Sequence, residues 1–293
     1  MFAYVNGKKI FFDVVGEGLD GSTAELKERP VFIAIHCASG FDHGYLRTGL
    51  DPLATMGQVV YVDLPASGRS ASNIATTVTF ENLADDIAGL IDYLGLNKPY
   101  IIGHCAGGFV AQHFALRHQH KMKGLILVNT SPSFEKIIED DKPNPSLMDR
   151  APKDVVETCL TVYGKGIITD ETVDKCFNDV GPYFLAQDQM ENFKAVFSYT
   201  SIALPMMDRF VNYIYKTYDV RDKLEQIDAP TLVIAGTQDW LTPASGARFI
   251  ASKIKNSAYV EFENSCHISF AENRVGFLRA VHNFVGKTES ENS

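Results

Sequence analysis

Short apolar runs alternate with amphipathic stretches along most of the chain. The runs are continuously apolar, which is typical of strands buried on both faces of a parallel sheet. They cover residues 30–36, 58–62, 100–102, 125–128, 231–235 and 258–262. Helix-like stretches lie between them, at 45–54, 80–94, 109–117, 244–252 and 271–285. This alternation predicts an α/β fold in which helices cover both faces of a mostly parallel sheet.

The chain starts with a hairpin pattern. Residues 2–5 and 9–15 flank Asn6-Gly7, a dipeptide that favours the positive φ angles of a two-residue turn. We therefore predict an antiparallel hairpin at the beginning of the sheet.

The alternation is interrupted between residues 131 and 223. This segment is helical in pattern, irregular, and rich in proline and aromatic residues. We predict that residues 131–223 form an inserted helical cap, and that 1–130 and 224–286 form the α/β core. Most aromatic residues of the cap are expected in its own interior, and a few are expected to line an apolar pocket. Residues 287–293 are polar and are predicted to form a flexible tail.

A tight turn around Cys105 is the strongest candidate for chemistry. Gly103-His104-Cys105-Ala106-Gly107-Gly108 follows an apolar run and opens a helix-like stretch. A nucleophile elbow has this context, because small neighbours let the chain reverse sharply and lift one side chain above the sheet edge. Cys105 is therefore the candidate nucleophile, with a buried structural cysteine as the alternative.

A base and an acid follow in the chain order that an elbow fold requires. Asp239 lies just after the run 231–235, and His267 just after 258–262, so both should project from the carboxyl ends of parallel strands. We predict a Cys105–His267–Asp239 triad. Asp219 and Asp222 stay open as alternative acids. The weaker alternatives for the base are the other histidines, among them His113, His118, His120 and His282.

Backbone N–H groups near Cys105 should stabilise a developing oxyanion. One donor is expected from Ala106, which follows the nucleophile. The second is expected from the loop after residues 30–36, with Ala38 as first choice and Cys37 as second. His104 and Trp240, neighbours of the nucleophile and the acid, are predicted to contact substrate.

The composition limits the expected binding partners and the expected cellular compartment of the protein. The formal net charge of −9 disfavours nucleic acid and anionic membranes as partners, and no apolar run is long enough to span a bilayer. The five cysteines lack framework spacing, and no export signal precedes them, so we expect reduced thiols and a cytoplasmic protein. The glycines near Cys105 form no dinucleotide fingerprint, and no metal-ligand spacing occurs; we therefore predict neither a cofactor nor a metal.

Taken together, these motifs resemble the α/β-hydrolase superfamily over nearly the whole chain. The resemblance rests on the hairpin, the loop His36–Gly40, the segment Asp63–Ser70, the elbow, the insertion, and the acid and histidine loops. It implies an eight-stranded sheet flanked by helices. The likeness is to the capped branch that includes proline iminopeptidases, lactonases and small-ester hydrolases. Cys105 stands where most members have serine, and Cys37 where glycine is common.

The resulting hypothesis is a hydrolase of small esters, lactones, thioesters or amides that forms a thioester acyl-enzyme on Cys105. Two alternatives stay open: an acyltransferase or cyclising enzyme that uses the same acyl-cysteine, and a non-catalytic ligand-binding sensor. A small-molecule acyl substrate is the expected partner, and the chain is expected to be a monomer or a homodimer.

Overall fold

Eight strands form one sheet in the computed structural model, which describes residues 1–22, 26–70, 75–137 and 144–291. The strands are β1 (Phe2–Val5), β2 (Lys8–Gly16), β3 (Val31–Ile35), β4 (Gln58–Val62), β5 (Tyr100–His104), β6 (Gly124–Val128), β7 (Thr231–Gly236) and β8 (Ser257–Phe262). Their spatial order is β1-β2-β4-β3-β5-β6-β7-β8. The β1–β2 and β2–β4 pairs are antiparallel and the other five are parallel. The predicted α/β fold and its mostly parallel eight-stranded sheet are therefore confirmed.

The helices follow the strands in sequence. They are α1 (Arg47–Leu50), α2 (Phe80–Leu94), α3 (Ala106–His118), α4 (Lys153–Cys159), α5 (Asp170–Asp179), α6 (Phe193–Phe197), α7 (Leu204–Arg209), α8 (Ala244–Lys253), α9 (Ser269–Glu272) and α10 (Arg274–Glu291). Two single π-turns, Leu160–Gly164 and Phe210–Ile214, continue α4 and α7.

The boundaries of helices and strands were predicted best where capping residues or fully buried runs mark them. Helix α2 begins and ends where predicted, because the Thr79 hydroxyl accepts the Asn82 N–H at 3.2 Å and Gly95 ends the helix at φ 63°. Every residue of β5, β6 and β7 is buried, as expected for central strands covered on both faces. The carboxyl ends of these three strands converge at one edge of the sheet.

Two predicted helices differ from the structure. The stretch 45–54 is not one helix: only Arg47–Leu50 is α-helical, with 3₁₀ turns at Gly44–Leu46 and Asp51–Thr55. The stretch 271–285 divides at Asn273, whose side chain accepts the Gly276 N–H at 3.1 Å and caps α10.

Helix α10 runs through Glu291, into the predicted flexible tail. Glu289 holds this last part against the sheet, because its carboxylate accepts hydrogen bonds from Tyr100 Oη at 2.8 Å and Lys123 Nζ at 2.7 Å. Thr288 is buried. Residues 287–291 are therefore helical, residues 292–293 lie outside the described chain, and the flexible tail stays a prediction.

The described part of the insertion, 131–137 and 144–223, is mainly helical and contacts the core near the sheet edge. Ala203 N donates to Gly40 O at 2.8 Å, and Phe41 forms an isolated bridge with Ile202. These contacts join the start of α7 to the loop after β3. The division into a core and a cap stays a prediction.

Candidate active site

Cys105 occupies a strained turn between β5 and α3. Its backbone has φ 54° and ψ −126°, a conformation that non-glycine residues rarely adopt. The backbone is held on both sides, because Cys105 N donates to Val128 O at 3.1 Å and Cys105 O accepts from Thr130 Oγ1 at 2.7 Å. Glycine is required at 107, where a Cβ would lie 2.3 Å from Ile35 O. The turn has the geometry of a nucleophile elbow.

The Cys105 thiol is hydrogen-bonded to a second thiol. Cys105 Sγ and Cys37 Sγ are 3.1 Å apart, and Ser39 Oγ is also 3.1 Å from Cys37 Sγ. Burial raises the pKa of Cys37, but the hydrogen bonds from Cys105 and Ser39 outweigh burial and lower it to about 6. The same contact, together with burial, raises the pKa of Cys105. The pair thus loses one proton readily and holds the second tightly.

His267 and Asp239 are brought together from the two loops named by the sequence. His267 Nδ1 lies 2.9 Å from Asp239 Oδ2, and both residues are buried. Burial lowers the pKa of His267, but the charge and hydrogen bond of Asp239, together with the charges of Cys37 and Glu272, outweigh burial, so the net pKa is raised. Among the described residues, the Cys105 thiol makes its hydrogen bond to Cys37 and none to His267, although Cys105 and His267 line the same cavity.

Two residues that the sequence analysis missed hold the Asp239 carboxylate in place. Asn129 Nδ2 donates to Asp239 Oδ2 at 3.0 Å and to Cys266 O at 2.9 Å. Thr242 Oγ1 lies 2.8 Å from the same carboxylate oxygen, and its N–H donates to Oδ1 at 3.0 Å. Asn129 follows the carboxyl end of β6, which is the signal that would have identified it.

The predicted oxyanion donors differ in availability. The Cys37 N–H donates to Tyr45 Oη at 2.9 Å, so our second choice is already occupied. No acceptor for the Ala38 N–H is found within the described chain, which leaves this donor available. The Ala106 N–H lies close enough to both sulfurs to lower the pKa of each thiol. Ala38 and Ala106 are therefore better placed than Cys37 to supply the two N–H donors of the predicted oxyanion site.

His104 links Tyr45, which contacts the loop after β3, to the loop that carries His267. Its Nε2 lies 2.8 Å from His267 O, which can only accept, so this nitrogen carries the proton. Its Nδ1 must then accept from Tyr45 Oη at 2.8 Å. Burial and the nearby His267 lower the pKa of His104 to about 3, which keeps the ring neutral. His104 lines the cavity, but both ring nitrogens are used within the protein, so no polar atom of the ring is left for substrate.

Trp240 lies behind the cavity wall. Its indole N–H donates to Tyr183 O at 2.8 Å, and its ring stacks on Phe184. Phe184 lines the cavity and Trp240 does not. The predicted substrate contact is therefore replaced by support of Phe184.

Arg150, from the inserted segment, joins the two loops of the candidate triad. Its guanidinium donates to Leu185 O at 2.7 Å, Gln238 O at 3.4 Å and Cys266 Sγ at 3.3 Å. Gln238 precedes Asp239 and Cys266 precedes His267, so one side chain ties the insertion to both loops.

A narrow, apolar cavity of about 50 Å³ opens beside Cys105 and His267. Its described walls carry no lysine, arginine, aspartate or glutamate. The lining residues are Cys37, Ser39, Phe41, Tyr45, His104, Cys105, Phe109, Tyr163, Phe184, Phe197, Phe210, Tyr215, Leu241, Thr242, His267 and Ile268. Such walls favour an uncharged ligand, because an unpaired charge would lose its hydration there.

Within the described ranges, no three or more histidine, cysteine, aspartate or glutamate side chains are grouped to hold a metal ion. None of the described helices has the length and apolar character needed to cross a bilayer.

This chain is similar to known proteins over nearly its whole length. A family model described as alpha/beta hydrolase fold matches residues 30–274. Proline iminopeptidase PfmaB of Pestalotiopsis fici is 24% identical over 98% of this chain and 99% of its own. A pimeloyl-[acyl-carrier protein] methyl ester esterase of Chromobacterium violaceum is 26% identical over 93% and 96% of the two chains. The solved enol-lactonase of Burkholderia xenovorans superposes with a TM-score of 0.75 at 22% identity, covering 98% of this chain and all of its own.

Proposed function

This chain belongs to the alpha/beta hydrolase family, and from that premise we propose that it hydrolyses a small carboxylic ester, lactone, thioester or amide with an uncharged acyl group. The proposal depends chiefly on one observation: Cys105 and His267 line a single apolar cavity, and His267 is hydrogen-bonded to the buried Asp239. A nucleophile, a base and an orienting carboxylate are the groups that acyl transfer through a covalent intermediate requires.

The reaction begins when neutral His267 takes the proton of the Cys105 thiol and the sulfur attacks the substrate carbonyl. The oxygen becomes negatively charged in the tetrahedral intermediate, and the N–H groups of Ala38 and Ala106 stabilise it. His267, whose raised pKa favours the protonated ring, gives its proton to the leaving group as that bond breaks. The product of this half-reaction is a thioester on Cys105.

Deacylation uses the same imidazole as a base. Neutral His267 removes a proton from water, the hydroxide attacks the thioester, and the proton passes to the departing Cys105 sulfur. Asp239 stabilises the imidazolium that forms at each stage. Attack requires the Cys105 thiol to turn from Cys37 toward the carbonyl carbon.

The cavity walls favour neutral acyl groups over amines. A protonated amine in this cavity would have no carboxylate partner among the described wall residues. Glu135 forms an exposed ion pair with Arg221, and Glu139, Asp140 and Asp141 lie outside the described residues. We therefore favour esterase or lactonase activity over the removal of amino-terminal proline, despite the similarity to an iminopeptidase.

Turnover of nitrophenyl esters of short carboxylic acids tests the proposal. We expect the wild type to release nitrophenol and Cys105→Ala to release none above the uncatalysed rate. Intact-mass analysis of the wild type with a slow ester should detect an acyl adduct, and peptide mapping should assign it to Cys105. An adduct on another residue, or full activity of Cys105→Ala, would contradict the proposal.

Acyl transfer is the second candidate, favoured by the nearly complete apolar lining that limits water near the thioester. Adding a thiol or amine acceptor to the ester assay separates the two activities. A transfer product that exceeds the free acid would identify a transferase. Tight ligand binding without any turnover would instead indicate a sensor.

A further inference from the structure

Two buried thiols face each other at the cavity. Cys37, in the loop after β3, and Cys105, in the elbow, are 68 positions apart, yet their sulfurs are separated by 3.1 Å. A disulfide bond is about 2.05 Å long, so the two sulfurs need to approach by only about 1 Å. Each residue is 8% exposed and lines the cavity, through which a small oxidant has access.

We propose that Cys37 and Cys105 form an oxidation site, at which a hydroperoxide converts the two thiols into one intramolecular disulfide that a thiol reductant reopens. Both cysteines are needed at this site. Peroxide oxidises one sulfur to a sulfenic acid, and the other sulfur then attacks it to form the disulfide.

The chemical environment of the pair supports reaction with peroxide. The thiolate is the reactive form of cysteine, and the lowered pKa of Cys37, about 6, supplies one thiolate in the pair at neutral pH. The contacts with Cys105 and Ser39, whose side-chain atoms each lie 3.1 Å from the Cys37 sulfur, stabilise this charge. The Ala106 N–H, at the amino terminus of the 13-residue helix α3, adds a further favourable contact.

The reaction balances with a hydroperoxide as the sole oxidant. The thiolate attacks one peroxide oxygen, which gives a sulfenic acid and releases hydroxide. The neighbouring sulfur attacks the sulfenic sulfur, the S–S bond forms, and the sulfenic oxygen leaves as water. With hydrogen peroxide, two thiols and one peroxide molecule yield one disulfide and two water molecules.

The other three cysteines have the opposite environment. Burial raises the pKa of Cys159 to about 11 and that of Cys176 to about 12, and it also raises the pKa of Cys266. Their thiols are therefore protonated at neutral pH and react slowly. They serve as internal controls in the same molecule.

Oxidation would also remove the proposed nucleophile. This consequence rests on the proposed function, because a Cys105 sulfur in a disulfide cannot attack a carbonyl. The disulfide would protect Cys105 from further oxidation to the sulfinic acid, which reductants do not reverse.

Peroxide treatment of the full-length protein tests the site. After about one equivalent of hydrogen peroxide at about pH 7, the protein is unfolded in N-ethylmaleimide and digested. We expect an intact mass lower by about 2 Da before alkylation, a cross-linked peptide that contains Cys37 and Cys105, and full labelling of Cys159, Cys176 and Cys266. Dithiothreitol should restore all five free thiols.

Two variants make the result specific. In Cys105→Ser the cross-link cannot form, and Cys37, which carries the thiolate, should accumulate as a sulfenic acid that dimedone traps. Cys159→Ser, which changes a buried thiol outside the pair, should form the cross-link as the wild type does. Sulfinic acid on Cys105 with Cys37 still labelled, or a cross-link that involves another cysteine, would overturn the proposal.

Activity measurements on the same samples separate this inference from the proposed function. If the cross-link forms, ester hydrolysis should fall in proportion to the cross-linked fraction and return with reductant. A cross-link in a protein without ester turnover would overturn the proposed function and leave the oxidation site standing. Ester turnover that persists in fully cross-linked protein would contradict Cys105 as nucleophile.

Discussion

His267 Nδ1 and Asp239 Oδ2 lie 2.9 Å apart, and neither side chain reaches bulk solvent. The aspartate charge raises the pKa of the imidazole. Although burial raises the pKa of the carboxyl, the histidine and the Thr242 hydrogen bonds outweigh burial and lower it overall. This mutual stabilisation supports Asp239 as the group that orients the His267 ring.

Asp239→Asn should lower kcat/KM for a nitrophenyl ester by roughly 10²–10⁴-fold, because the imidazole loses the charge that orients and stabilises it. Asp219→Asn and Asp222→Asn are matched controls at the positions that the sequence left open. Asp219 forms an ion pair with Arg221, and Asp222 is exposed, so both variants should keep full activity. Equal damage from a control would point to a different acid.

The thiol pair should be visible as a thiolate that forms below neutral pH. Ultraviolet absorbance of the wild type should show one thiolate step near pH 6, where the pKa of Cys37 lies. In Cys37→Ala the first step should move to higher pH, because the remaining Cys105 loses its hydrogen-bonded partner. An unchanged step in Cys37→Ala would mean that the pair does not share its proton.

Asp63 should make the protein sensitive to acid. Its carboxylate accepts from His43 Nδ1 at 2.6 Å and from the Arg69 N–H at 2.9 Å. Burial raises the pKa of Asp63, but these contacts outweigh burial and lower it from 3.8 to about 2. Since the folded-state pKa is depressed, the stabilisation is present above about pH 4 and is lost as the pH falls toward 2.

Urea unfolding of Asp63→Asn measures this contribution. We expect the variant to be less stable than the wild type by about 2 kcal/mol at neutral pH, with the difference shrinking at low pH. Asp92→Asn, which changes an exposed carboxylate paired with Lys121, should change stability little at any pH. A difference for Asp63→Asn that is constant with pH would indicate lost packing instead.

The lack of carboxylates in the described cavity walls predicts discrimination between two substrates of the same shape. The nitrophenyl esters of alanine and of isobutyric acid differ in one group, which is ammonium in the first and methyl in the second. We expect kcat/KM for the alanine ester to be lower by at least about 10-fold at a pH where the amine is protonated, because its charge finds no carboxylate partner among the described wall residues. A preference for the alanine ester would favour aminopeptidase activity.

Arg150→Met should test the link between the inserted segment and the two loops. The variant keeps an apolar stem but leaves Leu185 O without its donor, while Gln238 O keeps only the Cys266 thiol, at a cost of about 1–3 kcal/mol of stability. We expect a lower melting temperature and a kcat reduced more than KM, since Asp239 and His267 lose a common anchor. Unchanged kcat with a lower melting temperature would limit Arg150 to a structural role.

The sequence predicted what local signals determine. Continuous apolar runs located the parallel strands, and small residues around Cys105 located the turn whose geometry the structure displays. Asp239 and His267 were found because residues after the carboxyl ends of neighbouring parallel strands must share one edge of the sheet. Their catalytic roles stay predictions.

Side-chain contacts between distant segments could not be predicted in this way. The Cys37–Cys105 contact and the Tyr45–His104 hydrogen bond depend on side-chain rotamers in loops that are 68 and 59 positions apart. The Cys37 N–H was predicted as a possible oxyanion donor because no local feature of the sequence shows that Tyr45 Oη accepts its hydrogen bond. Trp240 was predicted to contact substrate because it follows Asp239 in the sequence. Its position behind Phe184 depends on contacts with the inserted segment, which the local sequence does not show.

The chain of hydrogen bonds from Cys37 N–H through Tyr45 and His104 to His267 O restricts how this protein can change. Replacing Tyr45 alone leaves the Cys37 N–H and His104 Nδ1 without their partner, and replacing His104 alone leaves Tyr45 Oη and His267 O without theirs. Single substitutions at 45 or 104 therefore carry a cost that is avoided only when two new side chains together rebuild the chain. Libraries that aim at new substrates should therefore randomise these two positions jointly, and drift among descendants of this protein should alter them together or not at all.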